Sequence, residues 1–123
     1  MATVLTNTGV AKIIDCLFGD SHTAPVYIGW GTGAGTAGKT DTSLFTEASE
    51  TRVSGTKTKQ TTTVANDTYQ VVATMTADGT KTITNAGLLD AVSSGNLYIK
   101  GDFTGIALAS GDKIEFTFKL AQS

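Results

Sequence analysis

Reactive side chains are scarce in this chain of 123 residues. Its one cysteine, Cys16, leaves no disulfide to close within the chain and no cysteine cage for zinc. Its one histidine, His22, cannot supply a His-rich metal site. Charge is sparse and nearly balanced, with a net of −2, so no basic surface draws nucleic acid. No apolar run approaches the ~20 residues of a membrane helix. The opening MATVLTNTGVAK lacks a basic stretch followed by a continuous apolar one, and the expectation is a chain made and folded in a cytoplasm.

What is present leans towards β structure. Threonine, β-branched and suited to half-buried pleated strands, is the commonest residue. Proline occurs once, at Pro25, whereas glycine occurs 14 times. Length and composition fit a single domain over residues 1–123.

One segment reads as a helix, over about residues 7–18. Val10, Ile13, Ile14, Leu17 and Phe18 recur at helical spacing, which predicts an apolar face packed on a sheet. Thr6, Asn7 and Thr8 offer N-cap oxygens, and Gly19 suits the left-handed position after the last turn. Strands follow from about residue 25 to 120. Pro25–Trp30 is a short apolar strand, and the segment around Leu44 has room for about two helical turns. Residues 51–64 and 68–77 read as a long hairpin turning at Ala65–Asp67. Further turns fall at Asp78–Thr80 and Ser93–Asn96, and Ile114, Phe116, Phe118 and Leu120 alternate onto one face of the closing strand. One helix followed by six or seven strands predicts an antiparallel β-sandwich or barrel-like fold.

The stretch VYIGWGTGAGTAGKTDTS carries a literal phosphate-loop pattern, Gly33 through Lys39 and Thr40. A phosphate loop works because its N–H groups wrap the anion and the chain then enters a helix that crosses to a parallel strand. Here Thr40, Asp41, Thr42 and Ser43 are mediocre helix formers, and the chain is extended again by Thr51. The only acid-tipped apolar strand, ending at Asp90, is short. The overlapping dinucleotide pattern at Gly33, Gly35 and Gly38 lacks its long helix and distant acid. The glycines are read as permitting a tight, exposed connection, and no cofactor is expected.

No catalytic constellation emerges elsewhere. His22 reads as a surface loop residue and Cys16 as a small buried one. Asp78, Asp90, Asp102 and Asp112 recur at similar spacings, but turn punctuation explains them better than a calcium loop. Lys57 and Lys59 belong to a solvated strand face, and Glu47 and Glu50 have no acid or histidine nearby in sequence. Trp30, between two glycines at a strand end, either fills the core or stands out as an interface anchor.

Four strings in order carry a likeness to a known family. Ile28, Gly29, Gly31, Thr32 and Gly33, then Thr40, Asp41 and Leu44, then Glu47 and Arg52–Val53 match one motif. ITNAGLLDA, with Gly87 and Leu88, followed by SGNL, matches a second; Asn85 stands where the pattern has glutamate and Leu89 where it often has phenylalanine. Gly111 and Asp112 open the matching closing strand, and the amphipathic start sits where a comparable helix does. Together these resemble small virion structural proteins of tailed bacteriophages. The resemblance implies a non-enzymatic, β-rich protein of the virion, made in the host bacterial cytoplasm. It implies a capsid decoration (cement) protein on the head surface, a homotrimer bound to the major capsid protein, with a tail or tail-fibre module as the alternative. In the head setting the residues before Thr6 and the closing AQS are candidates for arms reaching a neighbour.

Overall fold

The computed structural model describes residues 2–121. Helix α1 spans Asn7–Phe18. The Thr6 side chain accepts the Gly9 N–H at 3.0 Å, and Gly19, at φ 91°, closes the last turn by donating its N–H to the Asp15 carbonyl. Both caps stand where the sequence places them.

Strand β1 (Thr3–Leu5) precedes α1, and seven strands follow it. They are β2 (Tyr27–Gly31), β3 (Val53–Ser54), β4 (Thr56–Gln60), β5 (Thr68–Thr76), β6 (Lys81–Leu89), β7 (Leu97–Leu108) and β8 (Lys113–Ala121). They form two antiparallel sheets, a five-stranded one ordered β1-β7-β6-β2-β3 and a three-stranded one ordered β4-β5-β8. The protein is a β-sandwich, and its core lies between the sheets. Ile28 and Trp30 of β2, Ile83, Ala86 and Leu88 of β6 and Ile99 of β7 meet Val71, Ala73 and Met75 of β5 and Phe118 of β8. The predicted alternation of the last strand holds: Phe118 is buried, with Ile114, Phe116 and Leu120 packed against the core.

The long hairpin forms as β4 on β5, closed by a turn at residues 61–67. The Asp67 carboxylate accepts the N–H groups of Thr62, Thr63 and Val64, which hold its pKa well below the usual carboxylate range. The strand expected to run unbroken from residue 51 divides at Gly55 instead. There the chain leaves the large sheet, as β3, and joins the small one, as β4. A Cβ at Gly55 would stand 2.5 Å from Val71 Cγ1, so the crossing requires glycine.

Three further expectations fail on physical grounds. Residues 2–5 are not a free arm: β1 pairs along β7, and Ala2 exchanges hydrogen bonds with Asp102, while Met1 lies outside the described residues. At the other end Ala121 pairs with Thr68, while Gln122 and Ser123 lie outside the described residues. The segment around Leu44 makes no helix, because its backbone is taken up by β2: Thr32 and Gly33 donate to the carbonyls of Thr46 and Phe45, and Glu47 bridges to Gly31. Finally, most of the apolar face of α1 is not packed on the sheet. Gly9 is the buried residue of this helix, pressed against the Tyr98 carbonyl, and Ile13 is half-buried, whereas Val10, Ile14, Leu17 and Phe18 face solvent.

Candidate functional site

The long loop between β2 and β3 carries most of the motif residues, and it folds back over the outer face of the large sheet. Along that face the register brings Gly29 of β2 beside Gly87 of β6, Gly87 beside Lys100 of β7, and Asn85 beside Asp102. The glycines leave space that the loop fills. A Cβ at Gly87 would stand 2.8 Å from both Leu44 and Leu97, which form a small second core with Leu89. A Cβ at Gly31 would meet the Phe45 and Thr46 carbonyls and, at 2.9 Å, the Asn85 amide nitrogen. Asn85 is fully buried and reads the Phe45 backbone with both ends of its amide, accepting its N–H at 3.0 Å and donating to its carbonyl at 3.1 Å. This loop is a cover.

The same contacts answer the phosphate-loop pattern. Three of its N–H groups already have partners: Gly33 donates to the Phe45 carbonyl, Ala37 to the Asp102 carboxylate and Gly38 to the Asp41 carboxylate. Carboxylates therefore take the Ala37 and Gly38 N–H groups that a phosphate loop would turn on its anion. No helix follows Thr40, and Lys39 contributes its carbonyl to Asn7. The lysine beneath the loop is instead Lys100, fully buried, which donates to Asp41 Oδ2 at 3.0 Å and to the Ser43 carbonyl at 2.8 Å. Its ammonium also lies 3.2 Å from the centroid of the Phe45 ring. The Gly38 N–H lowers the Asp41 pKa, burial works against it, and the Lys100 ammonium adds to the lowering.

Replacing Gly31 by Ala should lift the cover from the sheet. The expected loss is about 2–3 kcal/mol, since backbone oxygens cannot move aside as a flexible side chain would. Gly38→Ala, in the same loop with no neighbour nearer than 4.0 Å, should change stability by less than about 0.5 kcal/mol. Urea unfolding of both variants measures the contrast.

Two ionic clusters pin the far end of the cover. Arg52 grips Glu47 with two parallel bonds, of 2.7 and 2.8 Å, and spends its remaining nitrogen on the carbonyls of Ala91 and Ser94. It thereby ties the loop to the β6–β7 turn. Glu50 accepts the Trp30 indole N–H at 3.0 Å and the Asp78 backbone N–H, and it pairs with Lys81. Neither carboxylate showed a partner in the sequence. Arg52 was visible there only as part of a family motif, because a five-residue separation is no pairing distance on a helix and fixes no contact in a loop.

Burial raises the Glu50 pKa, but Lys81, Trp30 and the Asp78 N–H outweigh it and bring it down to about 2 from the ordinary 4.5. A carboxyl that ionises more readily when folded stabilises the protein above its unfolded pKa. The Glu50 contribution should thus be whole above about pH 4.5 and disappear as pH falls towards 2. Thermal melts across that range should show a decline that Glu50→Gln makes shallower.

The remaining candidates fall into place individually. Trp30 is a core residue, 1% exposed and edge-to-face with Phe116 at 6.1 Å, so its ring offers no surface to a partner. Leu88 is wholly buried, and Gly33 lies against Phe45 and Thr46. Gly111, at φ 91°, and Asp112 form the β7–β8 turn, with the Asp112 carboxylate accepting the Ala109 N–H. Asp90 likewise braces the β6–β7 turn through Asn96, whereas Asp102 sits within β7. His22 is exposed, as expected; Cys16 is exposed too, against expectation, because the helix face around it is uncovered. Among the described residues no group of His, Cys, Asp or Glu could hold a metal ion, and no helix is long and apolar enough to cross a membrane.

Most of these motif residues serve one construction, a glycine-lined sheet face with a clamped cover, built from β2, the loop after it, β6 and β7. The family model for podophage GP4 fiber I protein gp80 matches residues 4–121. The chain belongs to this fibre protein family. It is therefore a structural protein of the phage virion, as the motifs implied, and the match favours the tail-fibre alternative over head decoration. No curated protein and no solved structure matches the chain. Within the gp80 family frame, Asn85 and Leu89 are internal residues, the first holding the cover and the second packed beneath it.

Proposed function

We propose that this protein is a non-enzymatic structural module of the podophage tail fibre. The family match across residues 4–121 carries the proposal. The side-chain chemistry agrees with it: Asp41, Lys100 and Asp102 are engaged in holding one loop to one sheet. A fibre domain has to survive outside the cell, and a loop clamped at both ends by charge-assisted hydrogen bonds suits that demand.

Immunogold electron microscopy of intact particles, with an antibody against this chain, tests the assignment. Label on the fibres is the expected result. Label spread over the shell would return the protein to head decoration and the major capsid protein as its partner. The non-enzymatic part is tested by thermal shift with ATP or GTP and magnesium. No shift is expected, and one abolished by Lys39→Ala would overturn it.

A further inference from the structure

The two layers of the sandwich are unequal, five strands over three, and the narrower layer stops early on one side. Trp30 of β2 and Phe103 of β7 both reach the Phe116 ring of β8, at 6.1 and 6.4 Å between centroids. β8 therefore lies beneath β6, the strand between those two, and β7 and β1 project beyond it. Under this overhang opens a slot of about 180 Å³, walled by Ile99, Phe103, Phe116 and Phe118, with Thr117 and Lys119 at its rim. Among the described residues β8 is paired on one side only, by β5, and Lys113, Glu115, Thr117 and Lys119 along it are exposed.

The other sheet ends are built differently. β1 and β3 are short, with three and two residues. β4 is guarded: Lys57 and Lys59 stand opposite Val71 and Tyr69, hence on the face that looks inward, where a charge resists a further strand. β8 carries Ile114, Phe116, Phe118 and Leu120 on that face instead. Its edge is the long one without a guard.

We propose that this slot takes one extended segment of a different protein chain, added antiparallel to β8 as a fourth strand of the small sheet. A strand set ~4.8 Å beyond β8 lies directly under β7, so its inward side chains meet Phe103, Phe116 and Phe118. The space is one strand wide. A second copy cannot offer its own β8 there, because its large sheet would fall where β7 and β1 already stand. The edge also defines the chemistry of the occupant. Across β5, Lys113, Glu115 and Lys119 face Thr76, Thr74 and Gln70, none of them charged. An added strand answers those charges with an acid opposite Lys119, a base opposite Glu115 and an acid opposite Lys113. Read from its own N-terminus, the segment runs acid, apolar, polar, apolar, base, apolar, acid.

The surface is the same wherever in the virion the protein sits, so its test uses purified protein and is separate from the fibre assignment. Amide NMR of the full chain is recorded during titration with the capped peptide Asp-Val-Thr-Val-Lys-Val-Asp. Shifts should centre on β8 and the facing stretch of β7 and saturate at millimolar peptide. Solvent exchange of the β8 edge amides, fast in the free protein, should slow several-fold. The charge-reversed peptide Lys-Val-Thr-Val-Asp-Val-Lys should bind several-fold more weakly. Lys119→Glu, at an exposed position, should keep the melting temperature and weaken binding of the first peptide several-fold. Edge amides already protected in the free protein, no saturable shift with the first peptide, shifts centred elsewhere, or equal binding of the two peptides would each overturn the proposal. Protection of β8 that grows with protein concentration and no peptide would assign the edge to a second copy, and would overturn it as well.

Discussion

Trp30→Ala is expected to lower the free energy of unfolding by about 3–5 kcal/mol, the cost of emptying a large aromatic site in a packed core. Against a total of about 5–15 kcal/mol for a domain of this kind, that is about a fifth of the stability or more. Trp30 is 1% exposed, between Phe116 of the opposite sheet and the strands on either side of β2, so the two layers cannot close the void without moving together. The indole also satisfies one oxygen of Glu50, which retains Lys81 and the Asp78 N–H after the change. The hydrogen bond is therefore the smaller part of the loss. Trp30→Phe, which keeps most of the volume and drops only that bond, should recover more than half of it. Urea unfolding at neutral pH measures both variants. A loss under about 1 kcal/mol for Trp30→Ala would mean that the ring packs against a partner and not against its own core.

The second large effect lies under the cover, and its sign of asymmetry is specific. Asp41→Ala should cost about 3–5 kcal/mol, because it strands the Lys100 ammonium in a place without water. The Lys100 side chain is 1% exposed, while that of Asp41 is 23% exposed. Removal of the lysine instead leaves a carboxylate that water and the Gly38 N–H can still reach. Lys100→Met, which keeps the packed stem, should thus cost less than about 2 kcal/mol. Asp41→Ala should also free the loop for trypsin at exposed Lys39, and cleavage there should outpace that of the wild type while the rest of the sandwich stays intact. Equal losses from the two substitutions would show that the ion pair is solvated and that the cover is held elsewhere.

How much of this was legible in the sequence depends on the range of each signal. The α1 boundaries follow from Thr6 and Gly19, which act on their own turn, and the β8 face follows from a strict alternation of period two. Turns at Asp67, Asp90 and Asp112 were equally local. β1 was missed because three residues are too few to show a period. The break at Gly55 was missed because the clash that demands glycine comes from Val71, on another strand. The burial of Lys100 was invisible for the same reason: it stands in an apolar run, LYIKGDF, and the loop that covers it comes from more than 50 residues earlier. The α1 pattern was read correctly as a pattern and wrongly as a packing. Amphipathicity says that a face is apolar, not which surface meets it.

The candidate site was legible as a motif and not as a mechanism. Gly29, Gly31, Gly33 and Gly87 stood out, but that their missing side chains make room for Leu44, Phe45 and Arg52 is a fact of pairing across strands. The phosphate-loop pattern failed in the sequence for want of a following helix. In the structure three of its N–H groups, those of Gly33, Ala37 and Gly38, are already bound to the Phe45 carbonyl, Asp102 and Asp41.

Assignment to the fibre is most directly tested by stoichiometry in the virion. Quantitative mass spectrometry of intact particles should place this chain far below the major capsid protein in copy number, and in the fraction that retains the fibres when heads and tails are separated. A ratio near one, or a simple fraction of one, in the head fraction would contradict the fibre assignment and put the protein on the shell.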